Sequence, residues 1–229
     1  MFNSPYSTRP ITIKIGPNGA EFGAFEAMVE RYPGLESRLK DKKPGTALEL
    51  PEVHEDVGHT LIHFLFTGEY NTIGLGGIPE HLRAVAEFSK SVLTYCASRY
   101  CTIGPLEVVT KAKMDHYSKQ ISVFELHTVV VDVAPSLPPD EVWFPEHLYR
   151  WIKDALQDDD KLIGDEHLLE LVGQSLLFDK AVVRSISELY KEKAAAVKIF
   201  AQAPETETGL VTADVELANQ PNGTCKVAQ

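Results

Sequence analysis

Cysteine and positive charge are both scarce in this chain of 229 residues. Its three cysteines, Cys96, Cys101 and Cys225, contain no Cys-x-x-Cys pair and are too few for a disulfide framework. Lysine and arginine together number 22, against 33 aspartates and glutamates, so the net charge is −11. Surfaces that bind nucleic acid or anionic membranes need clustered basic residues, and we therefore expect neither kind of partner.

Long apolar runs are also missing. No stretch approaches the ~20 consecutive apolar residues that a bilayer-spanning helix requires. The segment Met1–Pro10 is polar and lacks the apolar core of a signal peptide. Together with the few cysteines, this predicts an intracellular protein, in either the nucleus or the cytoplasm.

Recognisable catalytic and cofactor-binding motifs are absent from the sequence. There is no Gly-x-Ser-x-Gly nucleophile elbow. The run Gly74-Leu75-Gly76-Gly77 lacks the preceding strand, the following helix and the lysine of a phosphate-binding loop, so we interpret it as a plain loop. We predict no catalytic residue, no cofactor and no enzymatic activity.

Three histidines, His54, His59 and His63, are the weak candidates for metal ligands. His59 and His63 are four residues apart and share one helix face, which is a spacing that can hold a metal. A zinc-protease helix needs His-Glu-x-x-His, however, and position 60 is threonine. We therefore predict no metal site, and we expect these imidazoles to line the exposed edge of a helix or to bond within the fold. The acidic run 158–160 is likewise interpreted as a solvated loop.

Two of the cysteines, Cys96 and Cys101, flank the predicted end of a helix. A thiol near Arg99 could form a thiolate, because a neighbouring positive charge favours that form. A buried, unreactive thiol is the favoured interpretation, since free cysteine is among the most buried residue types.

The most informative stretch of the sequence runs from Leu48 to Tyr70. Leu48 and Leu50 share one face of a short strand, which Pro51 ends because proline has no N–H to donate. Asp56 is the predicted cap of the helix that follows. The helix then carries an apolar stripe, which is formed by Val57, Leu61, Phe64 and Leu65. It stops at Gly68, since glycine readily adopts the left-handed conformation that ends a helix.

The surrounding pattern predicts a small sheet among helices. Ile11, Ile13 and Ile15 alternate with polar residues, and the Pro17-Asn18-Gly19 turn leads to a second strand over 21–25. Two short helices, divided by Pro33-Gly34, precede the third strand over 47–50. Further helices are predicted over 80–99 and 105–118.

These features resemble the BTB/POZ family, in which a strand ending in Leu-Pro leads to a buried helix closed by Thr-Gly-x-Tyr. Here the closing residues are Thr67, Gly68, Glu69 and Tyr70. A second stretch resembles the family's Ala-x-Lys-Tyr segment and the leucine after it, through Ala97, Tyr100 and Leu106. The resemblance covers residues 10–120 and implies an α+β fold with a small β-sheet flanked by a helical cluster. Phe25-Glu26 and Arg9-Pro10 depart from the family pattern and argue against its charged-pocket dimer.

The resemblance also implies a function, which is a non-catalytic protein–protein interaction module that self-associates as a homodimer, binds another protein, or both. An alternative is a substrate adaptor for a cullin-type ubiquitin ligase. That alternative is not favoured, because the loop 40–45 lacks the apolar-x-Glu element that such adaptors present. A second alternative is a metal- or small-ligand-binding protein, which rests only on the three histidines.

Residues 121–200 are predicted to form an all-helical extension. The valine-rich segment 124–133 favours a strand by propensity, whereas the family resemblance favours a helix. Helices follow over a segment opened by Pro145, over 165–177 and over 179–192. Trp143 and Trp151 are predicted to pack this extension onto the first domain. Residues 1–9 and 201–229 are predicted to be a flexible arm and a disordered tail.

Overall fold

The computed structural model describes residues 4–41 and 45–202 of the chain, the latter without the side chains of 160 and 198–202. The chain divides into two compact units, Met1–Glu192 and Lys193–Gln229. Of the second unit, only residues 193–202 are described, and those from 198 onward as helical backbone alone. The predicted tail, apart from residues 201 and 202, and Cys225 lie outside the described residues, as do positions 42–44 of the predicted basic loop.

Three strands form one mixed sheet in the order β2-β1-β3. The strands are β1 Pro10–Ile15, β2 Ala20–Phe25 and β3 Leu48–Leu50. Strand β1 pairs antiparallel with β2, with Ile13 opposite Phe22, and parallel with β3, with Ile13 opposite Leu48. The alternation of isoleucines along β1 therefore predicted its core-facing side correctly, since Ile13 and Ile15 are fully buried.

Helices make up most of the described chain. In chain order they are α1 Glu26–Val29, α2 Pro33–Lys40, α3 Gly58–Thr67, α4 Glu80–Tyr100, α5 Gly104–Tyr117, α6 Val123–Val133, α7 Trp143–Asp158, α8 Glu166–Leu171 and α9 Leu176–Gln202. Short 3-10 turns lie at Pro5–Ser7, Glu55–Val57, Ala134–Ser136 and Asp160–Gly164. This arrangement confirms the α+β class with a helical extension. Within the described residues, no helix is both long enough and apolar enough to span a membrane.

Helix α3 is enclosed, as its composition predicted. Leu61, Phe64 and Leu65 are buried in the core that also contains the sheet residues Leu48 and Leu50. Gly68 ends the helix with φ of 74°, the left-handed conformation expected of it. The start of α3 differs from the prediction, because the Asp56 side chain does not cap this helix. The His54 side chain instead accepts from the backbone N–H of Asp56 and caps the preceding 3-10 turn.

The N-terminal residues were predicted to form a loose arm, but those described from Ser4 onward make specific contacts. The Thr8 hydroxyl accepts a hydrogen bond from the backbone N–H of Ala27 at 3.2 Å. Arg9 pairs with Glu26 at 2.8 Å, and the Tyr6 ring packs edge-on against Phe25. The segment before β1 is therefore anchored to the end of β2 and to α1.

The valine-rich segment is the helix α6, so the strand alternative is wrong. Its first turn carries a complete capping box: Ser122 accepts from the backbone N–H of Glu125, and the Glu125 carboxylate accepts from the backbone N–H of Ser122. Valine lowers helix propensity by only a few tenths of a kcal/mol per residue, and burial of the helix outweighs that preference.

The last two helices differ in length from the prediction. Helix α8 covers only Glu166–Leu171, because the backbone turns extended at Val172 and then passes through Gly173 with φ of 96°. Helix α9 begins three residues earlier than predicted, at Leu176, and reaches Gln202.

Candidate functional site

A groove of about 410 Å³ lies between the α5–α6 connection and helix α7. We call it the junction groove. Its two walls come from segments more than 25 residues apart in sequence. It is lined on one side by Ser118, Lys119, Ile121, Ser122, Val123 and Phe124, and on the other by Trp151, Asp154, Ala155, Asp158, Asp159 and Leu162. A concavity of this volume falls within the range typical of ligand-binding sites.

The α7 wall is built by helix periodicity. Trp151, Ala155 and Asp158 follow the i, i+4, i+7 spacing, so they share one face of the helix together with Asp154. The adjoining face of α7 carries Phe144, Leu148, Ile152 and Leu156, all buried in the core. The helix is thereby fixed in rotation, with one apolar face in the core and a mixed aromatic and acidic face in the groove.

Trp151 is held in a defined orientation. Its indole Nε1 donates a hydrogen bond to Oδ1 of Asp115 on α5, over 3.1 Å. Its ring meets Phe88 of α4 edge-on, with the centroids 5.5 Å apart. Trp143 lies 5.5 Å from the Tyr95 ring of α4. Both tryptophans thus join α7 to α4 and α5, as the sequence predicted.

The lining of the groove carries more negative than positive charge. Among the described lining residues, the three carboxylates of Asp154, Asp158 and Asp159 face one cation, Lys119. Asp159 accepts a hydrogen bond from the backbone N–H of Lys161. Among the described residues, Asp154 and Asp158 have no hydrogen-bond or ion-pair partner, whereas Glu146 on the same helix pairs with both Arg150 and Arg184. The negative charge of this wall is therefore left for a ligand or for solvent.

The candidate metal ligands do not come together. His54 caps the 3-10 turn before α3. His59 and His63 stack on the surface of α3 with their ring centroids 5.8 Å apart. Across the residues that the structure describes, no group of three or more histidines, cysteines or carboxylates is placed to hold a metal ion. The described acidic residues near position 158 belong to no such group either.

Cys96 and Cys101 are both buried free cysteines. Burial raises the pKa of each thiol to about 12, despite the positive charges of Arg99 and Arg38 nearby. Both therefore remain protonated at neutral pH, and the prediction that these two cysteines are buried is confirmed.

The residues singled out by motif mostly belong to the core. Seven of them are buried: Leu48, Leu50, Leu61, Phe64, Leu65, Ala97 and Leu106. Tyr70 and Tyr100 are half-buried, and Pro51, Thr67 and Gly68 are exposed at chain turns. Thr67 donates to the backbone carbonyl of His63 and accepts from the N–H of Glu69. This motif thus specifies a strand, a helix and its end, and none of it lines the junction groove.

The groove itself was not predicted from the sequence. The sequence does show the i, i+4, i+7 spacing of Trp151, Ala155 and Asp158, but that spacing does not reveal which segment packs opposite these residues. Its second wall belongs to the α5–α6 connection, and sequence spacing gives no information about that contact.

Two family models match consecutive parts of the chain. Residues 25–121 match the HAC6 N-terminal domain, and residues 122–198 match the HAC6 small helical domain. The two matches meet between residues 121 and 122, which both line the junction groove.

Two curated relatives are similar to this chain. Both are subtelomeric hrmA-associated cluster proteins of Aspergillus fumigatus, from strains CEA10 and Af293, and each is 30% identical over 164 residues. The similarity covers 72% of this chain but only 41% of each relative. No solved structure matches the chain.

These matches correct the predicted family. The resemblance to BTB/POZ proteins is wrong, because the family models that match are those of the two HAC6 domains. The motifs behind that resemblance encode a local strand-turn-helix and a glycine helix end, and such a unit recurs in unrelated proteins. The cullin-adaptor alternative depended on that family and therefore loses its support.

Proposed function

Since the chain belongs to the HAC6 family through its two consecutive domains, we propose that it is a non-catalytic protein-binding module that holds a segment of a partner protein in the junction groove. The observation that carries this proposal is the groove's fixed aromatic wall. Tryptophan is strongly enriched among the residues that dominate protein–protein binding energy.

The geometry of the groove favours a peptide segment as its ligand. From Trp151 to Asp158 the α7 wall runs about 10 Å, at 1.5 Å per helical residue. An extended chain rises about 3.3 Å per residue, so three residues span that wall. Ile121, Phe124, Ala155 and Leu162 add apolar surface beside the indole. Because Asp115 and Phe88 already fix the indole, little conformational entropy is lost there on binding.

Blocking the groove tests the proposal. Peptides selected from a random phage-displayed library on the full chain are labelled with fluorescein and titrated by fluorescence polarisation. Ala155→Trp fills the groove, and we expect it to weaken binding at least tenfold. Ala112→Trp makes the same change at an exposed position of α5 that does not line the groove, and it should bind as the wild type does.

A second variant guards against misfolding. Phe124→Ala opens the groove instead of filling it and should also weaken binding, while thermal unfolding of both variants reports whether each remains folded. Selected peptides whose affinity is unchanged in both folded variants place binding elsewhere and contradict the proposal.

A second surface favours self-association as an additional mode. Leu176, Val183 and Tyr190 lie seven residues apart on α9, and they are 70%, 67% and 75% exposed. Seven residues make nearly two helical turns, so these side chains form one stripe, the spacing at which helices pair. A trough of about 450 Å³ beside the stripe carries charges of both signs, including Lys180, Arg184 and Glu188. Such a surface suits a second copy of the same helix.

Light scattering coupled to size-exclusion chromatography tests this mode over a range of concentrations. We expect the wild-type chain to form a dimer and Val183→Glu to remain a monomer. Val142→Glu places the same charge at a 74% exposed site before α7 and should leave the dimer intact. A wild-type chain that stays monomeric at every concentration rules this mode out.

A further inference from the structure

We propose that the segment held in the junction groove contains a lysine or arginine next to a large apolar side chain. This inference rests on the proposed function and adds the chemistry of the partner. It follows from three properties of the groove, which are its unpaired carboxylates, the end of helix α7 and the aromatic wall.

The first property is the pair Asp154 and Asp158. They are four residues apart on α7, so their side chains are neighbours on one face, and like charges at this spacing repel each other. Two other carboxylates on the described surface have a basic partner four residues away: Glu36 pairs with Lys40 and Glu107 with Lys111. The α7 pair has no such partner among the described residues. A bound cation would remove the repulsion.

The second property is the direction of helix α7. The helix ends at Asp158, and its last turn contains no basic residue. The C-terminal end of a helix carries about half a unit of negative charge, which favours cations and disfavours carboxylates. The backbone and the side chains at this end therefore add their negative potentials in the same place, beside the apolar part of the groove. Lys119 on the opposite wall offsets only one of the three charges.

The third property is the apolar surface that adjoins the acids. Trp151 and Ala155 lie within one helical turn of Asp154, and Phe124 and Ile121 form the facing wall. An apolar side chain that binds here is stabilised in proportion to the area it removes from water. Tryptophan is also the most favourable aromatic partner for a cation. The groove thus has adjoining places for an apolar and a basic side chain.

Four fluorescein-labelled dodecapeptides test this chemistry against the full chain by fluorescence polarisation. All share a Gly-Ser background. The first has a central Lys-Leu-Lys-Leu, the second replaces its lysines by glutamate, the third replaces its leucines by serine, and the fourth replaces both. We expect the first to bind, and the other three to bind at least tenfold more weakly.

Variants of the chain test the same point from the other side. Asp154→Asn/Asp158→Asn should weaken binding of the first peptide at least tenfold, and 0.5 M salt should weaken its binding to the wild type. The charge-matched control Asp132→Asn/Glu170→Gln alters exposed residues outside the groove lining and should bind as the wild type does.

The outcomes separate this inference from the proposed function. If peptides from the random library lose affinity in Ala155→Trp, yet neither their lysines nor Asp154 and Asp158 affect binding, the groove binds protein and the basic–apolar inference is overturned. If the leucine-free peptide or spermidine competes as well as the first peptide, the groove takes cations alone and the inference is also overturned. If no library peptide depends on the groove, the proposed function fails as well.

Discussion

The hydroxyl oxygen of Tyr95 lies 2.8 Å from both carboxylate oxygens of Glu141, to which it donates its proton. The Glu141 side chain is only 4% exposed. The carboxylate also accepts from Arg99 at 3.3 Å and from the backbone N–H of Phe144 in the first turn of α7. Burial, together with the carboxylate, raises the pKa of Tyr95, so its hydroxyl stays a donor at neutral pH. This network connects α4 to the start of α7.

We predict that Tyr95→Phe destabilises the chain by about 1–3 kcal/mol, because it leaves a buried carboxylate without one of its donors. Urea unfolding followed by circular dichroism measures the change. Tyr190→Phe removes the same hydroxyl from a side chain that is 75% exposed and should alter stability by less than about 0.5 kcal/mol. Equal effects of the two variants would show that the Glu141 bond contributes nothing to stability.

The capping box of α6 supplies a second prediction. Ser122→Ala removes the acceptor for the Glu125 N–H, 3.2 Å away, and should lower the free energy of unfolding by about 1 kcal/mol. Ser187→Ala, at an exposed site inside α9, makes the same replacement without a cap. Because alanine has the higher helix propensity, that control should be neutral or slightly stabilising. A Ser122→Ala variant as stable as its control would contradict a structural role for the cap.

Local signals in this sequence predicted local structure well. The alternation of Ile11, Ile13 and Ile15 gave a strand, and Gly68 ended its helix, because each effect depends on neighbours within a few residues. The Ser122-x-x-Glu125 capping box is an equally local signal in the sequence. It would have decided between helix and strand for the valine-rich segment. Propensity alone left that choice open, since burial of Val129, Val130 and Val133 against the core overrides it.

Contacts between distant segments could not be obtained in this way. The junction groove requires the α5–α6 connection to lie beside α7, and no spacing within either segment specifies that approach. The family assignment failed for a related reason. The Leu-Pro and Thr-Gly-x-Tyr motifs specify a strand end and a helix end, which are local solutions that different families share.

His127 should make stability depend on pH. Its side chain is 4% exposed, its Nε2 has no partner among the described residues, and its ring packs edge-on against Phe178 at 4.8 Å. Burial lowers the pKa of this imidazole, and the charge of Asp179 opposes the shift only in part. The unfolded chain therefore binds a proton more readily, with a pKa near 6.5. Stability is complete above about pH 6.5 and falls as the pH decreases below that value.

The comparison with His127→Leu isolates this contribution. Urea unfolding of both proteins from pH 7.5 to pH 5 should show the variant gaining stability relative to the wild type as the pH falls. His81→Leu, at an exposed site on α4, should show no such relative gain. A difference between wild type and His127→Leu that is constant with pH would mean that the imidazole titrates alike in the folded and unfolded chains.

A carboxylate at the C-terminal end of one helix and a carboxylate at the N-terminal end of the next should have opposite effects on stability. Asp158 ends α7, whereas Asp165 caps the start of α8 and accepts from the backbone N–H of His167 at 2.8 Å. That bond is the main cause of the lowered pKa of Asp165. Asp158→Asn should therefore raise the free energy of unfolding by about 0.3–1 kcal/mol, and Asp165→Asn should lower it. Urea unfolding at low ionic strength measures both changes, and about 1 M salt should reduce each by screening. If Asp158→Asn also destabilises the chain, the Asp158 carboxylate stabilises the free protein. No ligand is then needed to offset the negative potential at the end of α7.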